Sequence, residues 1–261
     1  MKRVLHFPLL LGVLAFSTSP SADEVRVAVA TNFIDVMGQL AQGFEQQTGH
    51  KVVLSSGATG KLYAQISNGA PFDVFFSADE ERPELLEREG KAVTGSRFTY
   101  ALGKLVLWSP APDYIDEDLR VLKEQQFRFL SIANPGAAPY GRAAQEVLEH
   151  LGLWQGLQSK MVRGENIGQT YQYVHSRNAQ LGFVAKAQIY RQGEFADGSW
   201  WQVPDELYAP IVQQAVLLKD TEAARALLDY VRSPAASELI ESFGYGVESS
   251  SVLARQTHRG V

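Results

Sequence analysis

The 261-residue chain contains no cysteine. That excludes disulfides, thiolate metal sites, a cysteine nucleophile and a lipid-modified N-terminal cysteine. Histidine is sparse: beyond residue 22 only His50, His150, His175 and His258 remain, far apart and with no H-E-x-x-H among them. A helix-borne histidine pair for zinc is therefore excluded. No Gly-x-Ser-x-Gly elbow occurs, which removes that serine-hydrolase arrangement. Apart from Val4–Phe16, no apolar run approaches the ~20 residues of a helical membrane span. Positive charge is also short, with 24 Lys and Arg against 29 Asp and Glu. A chain of net charge −5 gains nothing electrostatically from nucleic acid or anionic lipid.

What is present is an ordinary globular composition, 45% hydrophobic and 20% charged. The length suits two lobes of roughly 100–150 residues better than one core. Lys2-Arg3, the apolar run Val4–Phe16 and the small polar Ser17–Ala22 read as a secretory signal peptide over residues 1–22. Its removal takes two cations and no acids, leaving −7. A soluble, unanchored protein of the periplasm is the expectation.

Strand and helix patterns then alternate along the chain, which predicts α/β architecture with right-handed crossovers. Val25–Ala30 is a β-branched and small apolar run that stops at Thr31-Asn32. Phe33, Val36, Met37, Leu40, Ala41 and Phe44 follow at the spacing of one apolar helix face. Further strands are expected at 51–55, 73–76, 127–132, 161–163, 181–185, 200–203 and 211–218. Phe98–Trp108 is an extended run interrupted at Gly103, and is read as a first crossing between lobes, with Ile211–Leu218 as the return. This gives a discontinuous first lobe, 23–101 with 210–247, an inserted second lobe, 102–209, and a loose tail, 248–261. Each lobe is expected to be a mostly parallel sheet flanked by helices, and two crossing strands make a hinge.

Four turns stand where a strand gives way to a helix: Thr31-Asn32, Thr59-Gly60, Pro139-Tyr140-Gly141 and Asn166-Ile167-Gly168. The first amides of a helix have no internal partner, and the macrodipole is positive there. Such an end is a ready anion site. Two turns fall in each proposed lobe, so a cleft between them would be lined from both walls. Each turn also has a local reading: Asn32 with Asp35 fits a capping box, Thr59 a turn hydroxyl, Tyr140 a packing ring. Jointly they place hydroxyl and amide donors, with no Lys or Arg, where a small anion would sit. A fully ionised dianion needs only donors, whereas a protonated one such as phosphate needs a carboxylate to receive its hydrogen. Asp35 and Glu165 are near in sequence and suit helix starts. Lys61 and Arg142 follow their turns as solvated charges. Gly57-Ala-Thr-Gly-Lys61 lacks the spacing of a phosphate loop.

The landmarks Val29-Ala-Thr-Asn32, Ser55-Ser-Gly-Ala-Thr-Gly60, Gly69-Ala-Pro-Phe-Asp-Val-Phe-Phe-Ser-Ala-Asp79, Asn134-Pro-Gly-Ala-Ala-Pro-Tyr-Gly141, Leu181-Gly-Phe-Val184 and Pro210-Ile-Val resemble periplasmic molybdate-binding proteins of ABC importers. The resemblance implies the two-lobe type II periplasmic-binding-protein fold and molybdate or tungstate held in the interlobe cleft. It assigns Thr31, Asn32, Thr59, Tyr140 and the backbone of Ile167 as ligand-binding residues, with no catalytic residue, no resident cofactor and no direct metal ligand. Asn32 and Thr59 stand where many members carry serine, and Ala185 where some carry a further tyrosine. The implied partner is an inner-membrane ABC permease with its cytoplasmic ATPase, and the protein is expected to be monomeric. The alternatives are a binding protein for sulfate or phosphate, or an exported enzyme on the same fold.

Overall fold

The computed structural model describes residues 22–247; the leader and tail readings lie outside them. Strand β1 (Glu24–Ala30) ends in a 3-10 turn, Thr31–Phe33, that runs into α1 (Ile34–Thr48). Next come β2 (Lys51–Gly57), α2 (Thr59–Ser67), β3 (Val74–Phe76) and α3 (Glu81–Arg88). The extended run divides into β4 (Phe98–Gly103) and β5 (Leu105–Ser109). Then follow α4 (Arg120–Lys123), β6 (Leu130–Ala133), α5 (Pro139–His150), α6 (Trp154–Leu157), β7 (Met161–Gly164) and α7 (Ile167–His175). Strand β8 (Leu181–Ala185), α8 (Lys186–Ile189), the hairpin β9 (Tyr190–Arg191) and β10 (Glu194–Phe195), and β11 (Ser199–Gln202) come next. The chain closes with β12 (Ile211–Leu217), α9 (Glu222–Val231) and α10 (Pro234–Ser242).

These strands form two five-stranded sheets, ordered β2-β1-β3-β12-β4 and β11-β5-β8-β6-β7. Sheet membership changes at Lys104, between β4 and β5, and again between β11 and β12. Each sheet is mixed rather than mostly parallel. β1 pairs parallel with β2 and β3, and β6 with β7 and β8. β12 runs antiparallel to β3 and β4, and β5 antiparallel to β8 and β11. The reason is connectivity: β5 enters its sheet directly from β4 and β12 enters its sheet from β11 of the other, so neither follows a crossover helix of the kind that forces parallel pairing.

The cores follow from the sequence pattern. Val25, Val27 and Val29 pack with Phe33 of the 3-10 turn and Met37, Leu40 and Phe44 of α1, with Leu227 and Leu228 of α9 completing that side. Ala28 and Phe75, on the other face of the same sheet, meet Leu62 and Ile66 of α2 and Leu86 of α3. In the second sheet Leu105, Leu107, Leu130, Ile132 and Phe183 pack with Ala144, Val147 and Leu148 of α5. Polar ends are capped where the sequence supplies them. Asn166, Thr221 and Ser233 accept from the third helical amide of α7, α9 and α10, and Pro234 occupies the first helical position of α10.

The start of α5 is set by close backbone approach. Pro139 lies in its first turn, and a methyl group on Gly141 would overlap the Ala133 carbonyl at the end of β6. We expect Gly141→Ala to destabilise the fold by about 1–3 kcal/mol through overpacking against backbone that cannot yield. Urea denaturation measures it, and an unchanged midpoint would contradict the close approach.

Candidate functional site

The starts of α2, α5 and α7 and the 3-10 turn before α1 converge on one cavity. Its wall is made by Ala30, Thr31, Asn32, Gly57, Ala58, Thr59, Ala78, Ala138, Pro139, Tyr140, Asn166 and Ile167. All five residues proposed from sequence are therefore brought together. β1 and β2 lead to its first wall, and β6 and β7 to its second. The positive ends of all four elements face inward, and no residue of the lining is charged.

The donors differ in what they already bind. Thr31 Oγ1 is buried and has no hydrogen-bond partner among the described residues. Leaving a hydroxyl so placed costs about 1–3 kcal/mol unless a ligand or water satisfies it. Thr59 Oγ1 accepts from the Ala78 amide at 3.2 Å, which leaves its own proton to donate. Ile167 opens α7 behind the Asn166 cap, so its N–H has no intrahelical acceptor. Asn32 differs from the capping-box reading: its Nδ2 donates to Gln213 Oε1 at 2.7 Å and to Tyr245 OH at 3.0 Å. With both amide protons engaged, Asn32 can offer the cavity its backbone N–H.

Behind the cavity lies a buried polar cluster that sequence reading missed. Tyr245 OH donates to the Asn32 carbonyl at 2.8 Å. Tyr100 OH stands 3.0 Å from both Gln213 Oε1 and the Ser77 carbonyl. Gln213 Nε2 donates to Tyr140 OH at 3.2 Å. A signal was available: Gln213 and Gln214 interrupt the apolar stretch of β12, and Gln213, the buried one, requires partners. Gly103 belongs here too, since a side chain on it would overlap Tyr140 OH.

The charged neighbours stand at the rim. Glu165 pairs with Lys61 across the cleft at 2.6 Å, and Arg142 lies 3.4 Å from Glu81. Asp35 pairs with Arg191 at 3.0 Å rather than completing a cap. Gly60 N donates to the Ala137 carbonyl at 2.9 Å. Gly168 abuts the Thr31 methyl so closely that a side chain could not fit. The two walls are thus in contact, and neither Glu165 nor Arg142 lines the cavity.

A family model described as "Bacterial extracellular solute-binding protein" matches residues 25–246. The chain belongs to that family. Among solute-binding relatives, the molybdate-binding protein ModA of Azotobacter vinelandii is 53% identical over 241 residues, spanning 91% of this chain and 96% of that one. The molybdate-binding protein ModA of Rhodobacter capsulatus is 45% identical, spanning 90% and 93%. A solved structure, the periplasmic molybdate-binding protein of Azotobacter vinelandii, superposes with a TM-score of 0.83 at 46% identity, covering 86% of this chain and all of that one. This solute-binding fold accounts for the two sheets and the cleft between them.

Burial raises the phenols of Tyr100, Tyr140 and Tyr245 above the ordinary tyrosine range, with the neighbouring hydroxyls adding to the effect on Tyr100 and Tyr140. Neutral phenols are thereby held as donors. The unfolded chain releases these protons near pH 10 while the folded chain retains them, so stability must fall as pH rises past about 10. Urea denaturation across pH 7–11, paired with phenolate absorbance, checks this. Ionisation of all ten tyrosines in the folded protein near pH 10 would contradict it.

Proposed function

We propose that this chain captures molybdate, or tungstate, in the cleft between its lobes and delivers it to an inner-membrane ABC permease. The carrying observation is an uncharged cavity lined by Thr31, Asn32, Thr59, Tyr140 and Ile167 at the starts of four helical elements, with the Thr31 hydroxyl unpartnered among the described residues. Such a constellation supplies donors and no carboxylate. It suits a tetrahedral dianion carrying no proton of its own, and the names of the most similar relatives point to the same ligand.

The lobes are the two sheets with their helices, joined through Gly103–Leu105 and the segment 203–210. Closure brings the start of α2 against the turn before α5, and Thr31 against the start of α7. Each bound oxygen then receives donors from both walls, and the hydrogen bonds gain strength from the ligand's charge in a dry site. Molybdate is cargo, and no resident cofactor is needed. The lining hydroxyls of Thr31, Thr59 and Tyr140 have no histidine, lysine or carboxylate beside them in the cavity wall to act as a base, which supports a binding role over catalysis. A monomer in the periplasm, free to diffuse to its permease, completes the reading.

Thermal unfolding with molybdate, tungstate, sulfate and phosphate in parallel tests the ligand. Molybdate and tungstate should raise the midpoint in proportion to the logarithm of concentration above Kd. Stabilisation by sulfate or phosphate and not molybdate would overturn the assignment. Within the site, Tyr140→Phe should weaken molybdate by about 1.5–3 kcal/mol, the range for a hydrogen bond to a charged group. Glu165→Gln should leave calorimetric affinity within about twofold, because a rim carboxylate contributes little through solvent. A large loss on Glu165→Gln would return that carboxylate to the ligand shell.

A further inference from the structure

We propose that Gly168 is a positioning residue that sets how far the two lobes close, because the methyl group of Thr31 on one wall seats on its bare backbone on the other. This deepens the oxyanion reading above and rests on it.

Gly168 is the second residue of α7, one position past Ile167, and does not itself line the cavity. A Cβ built on it would overlap Thr31 Cγ2 and stand 3.6 Å from Thr31 Cβ. A matching contact runs the other way. Gly60 is the second residue of α2, and its N–H donates to the Ala137 carbonyl at 2.9 Å. A Cβ there would stand 3.2 Å from that oxygen and 3.3 Å from Ala137 Cα. Each wall thus sends one glycine against the other, at the second residue of a helix whose first residue lines the cavity. Neither glycine has a left-handed φ, so what each position requires is space rather than backbone freedom.

The ion pairs at the rim do not supply this limit, since their side chains are long, exposed and free to lengthen. Thr31 is stiff, being branched at Cβ. Its methyl and hydroxyl share that carbon, so seating the one fixes the other, and the hydroxyl is buried without a partner among the described residues. An alanine at 168 leaves two courses. Closure halts on the order of 1 Å short, where the added carbon regains van der Waals separation. Otherwise Thr31 turns about χ1 and carries its hydroxyl out of place. A hydrogen bond stretched from its normal length by that much is lost, so either course takes donors from the ligand.

A double-mutant cycle tests this, with Gly168→Ala made in the native and Thr31→Ser backgrounds. Serine keeps the hydroxyl and deletes the methyl that the new carbon would strike. Calorimetry with molybdate and thermal unfolding without it give the readouts. Gly168→Ala should weaken molybdate about tenfold or more in the native background, as for one lost hydrogen bond to a charged group, and less than about threefold beside Thr31→Ser. Rescue by a change in the opposite lobe is what damage confined to α7 would not produce. The ligand-free midpoint should stay within about 3 °C of native, since alanine favours the helix and Asn166 Oδ1, 3.2 Å from the added carbon, needs to yield only slightly. Equal losses in both backgrounds, an unchanged affinity, or a ligand-free midpoint lowered beyond that range would overturn the proposal, the last by placing the clash within one lobe. Native protein that ignores molybdate would overturn the oxyanion reading and this inference with it; native protein that binds it without coupling between Gly168 and Thr31 would overturn the role of Gly168 alone.

Discussion

Uncharged donors face one another across a cleft with neither a cation nor a free acceptor between them, and the rest of the architecture serves that arrangement. Parallel strands end on one side of each sheet, so the helices that follow begin there and turn their unsatisfied amides toward a common point. The second sheet does the same from the opposite side. Left alone, the Thr31 hydroxyl is a net liability of about 1–3 kcal/mol. A ligand or water at the centre offsets that liability, and an anion does so most strongly. The protein's net negative charge offers no long-range help, so the oriented dipoles must hold the guest at short range.

The contacts that span the cleft sort by strength. The ion pairs Lys61–Glu165, Arg142–Glu81 and Arg191–Asp35 all lie at the rim with side chains 41–66% exposed. Pairs in that position contribute about 0–1 kcal/mol each and weaken with salt. They guide the two walls into register without locking them. The interior contacts, Gly60 to Ala137 and Gln213 to Tyr140, are better shielded but few. Closure and release are consequently governed by whether the central donors have a partner, which is what a carrier that must later let go requires.

Much of this was legible in the sequence because it is written in local pattern. The valine run of β1, the helical spacing through Phe44, Pro139 opening α5 and Asn166 capping α7 each report one element and its start. The four turns could be grouped because each shows the same change of period beside a hydroxyl or amide residue. Of the cluster of Gln213, Tyr100 and Tyr245 only a polar residue in a crossing strand was legible: the partners lie 113 and 213 positions apart in sequence, and the pairing of β4 with β12 and the bridge between Leu102 and Gly246 bring them together. Asn32 illustrates the limit most sharply. Its neighbour Asp35 completes a capping pattern, yet its amide turns inward to β12 because buried tertiary partners outcompete a surface cap. The antiparallel ladders were missed for the same reason, since strand direction in a crossing segment depends on where the chain goes next.

Calorimetric titration with molybdate across about 20–500 mM potassium chloride tests the central claim most directly, because fixed dipoles in a closed cavity are screened far less than cations on a surface. One-to-one binding whose affinity stays level, or rises slightly as the acidic surface is screened, is the result this account predicts. A fall of tenfold or more over that range would mean that lysine or arginine side chains hold the anion, and would contradict it.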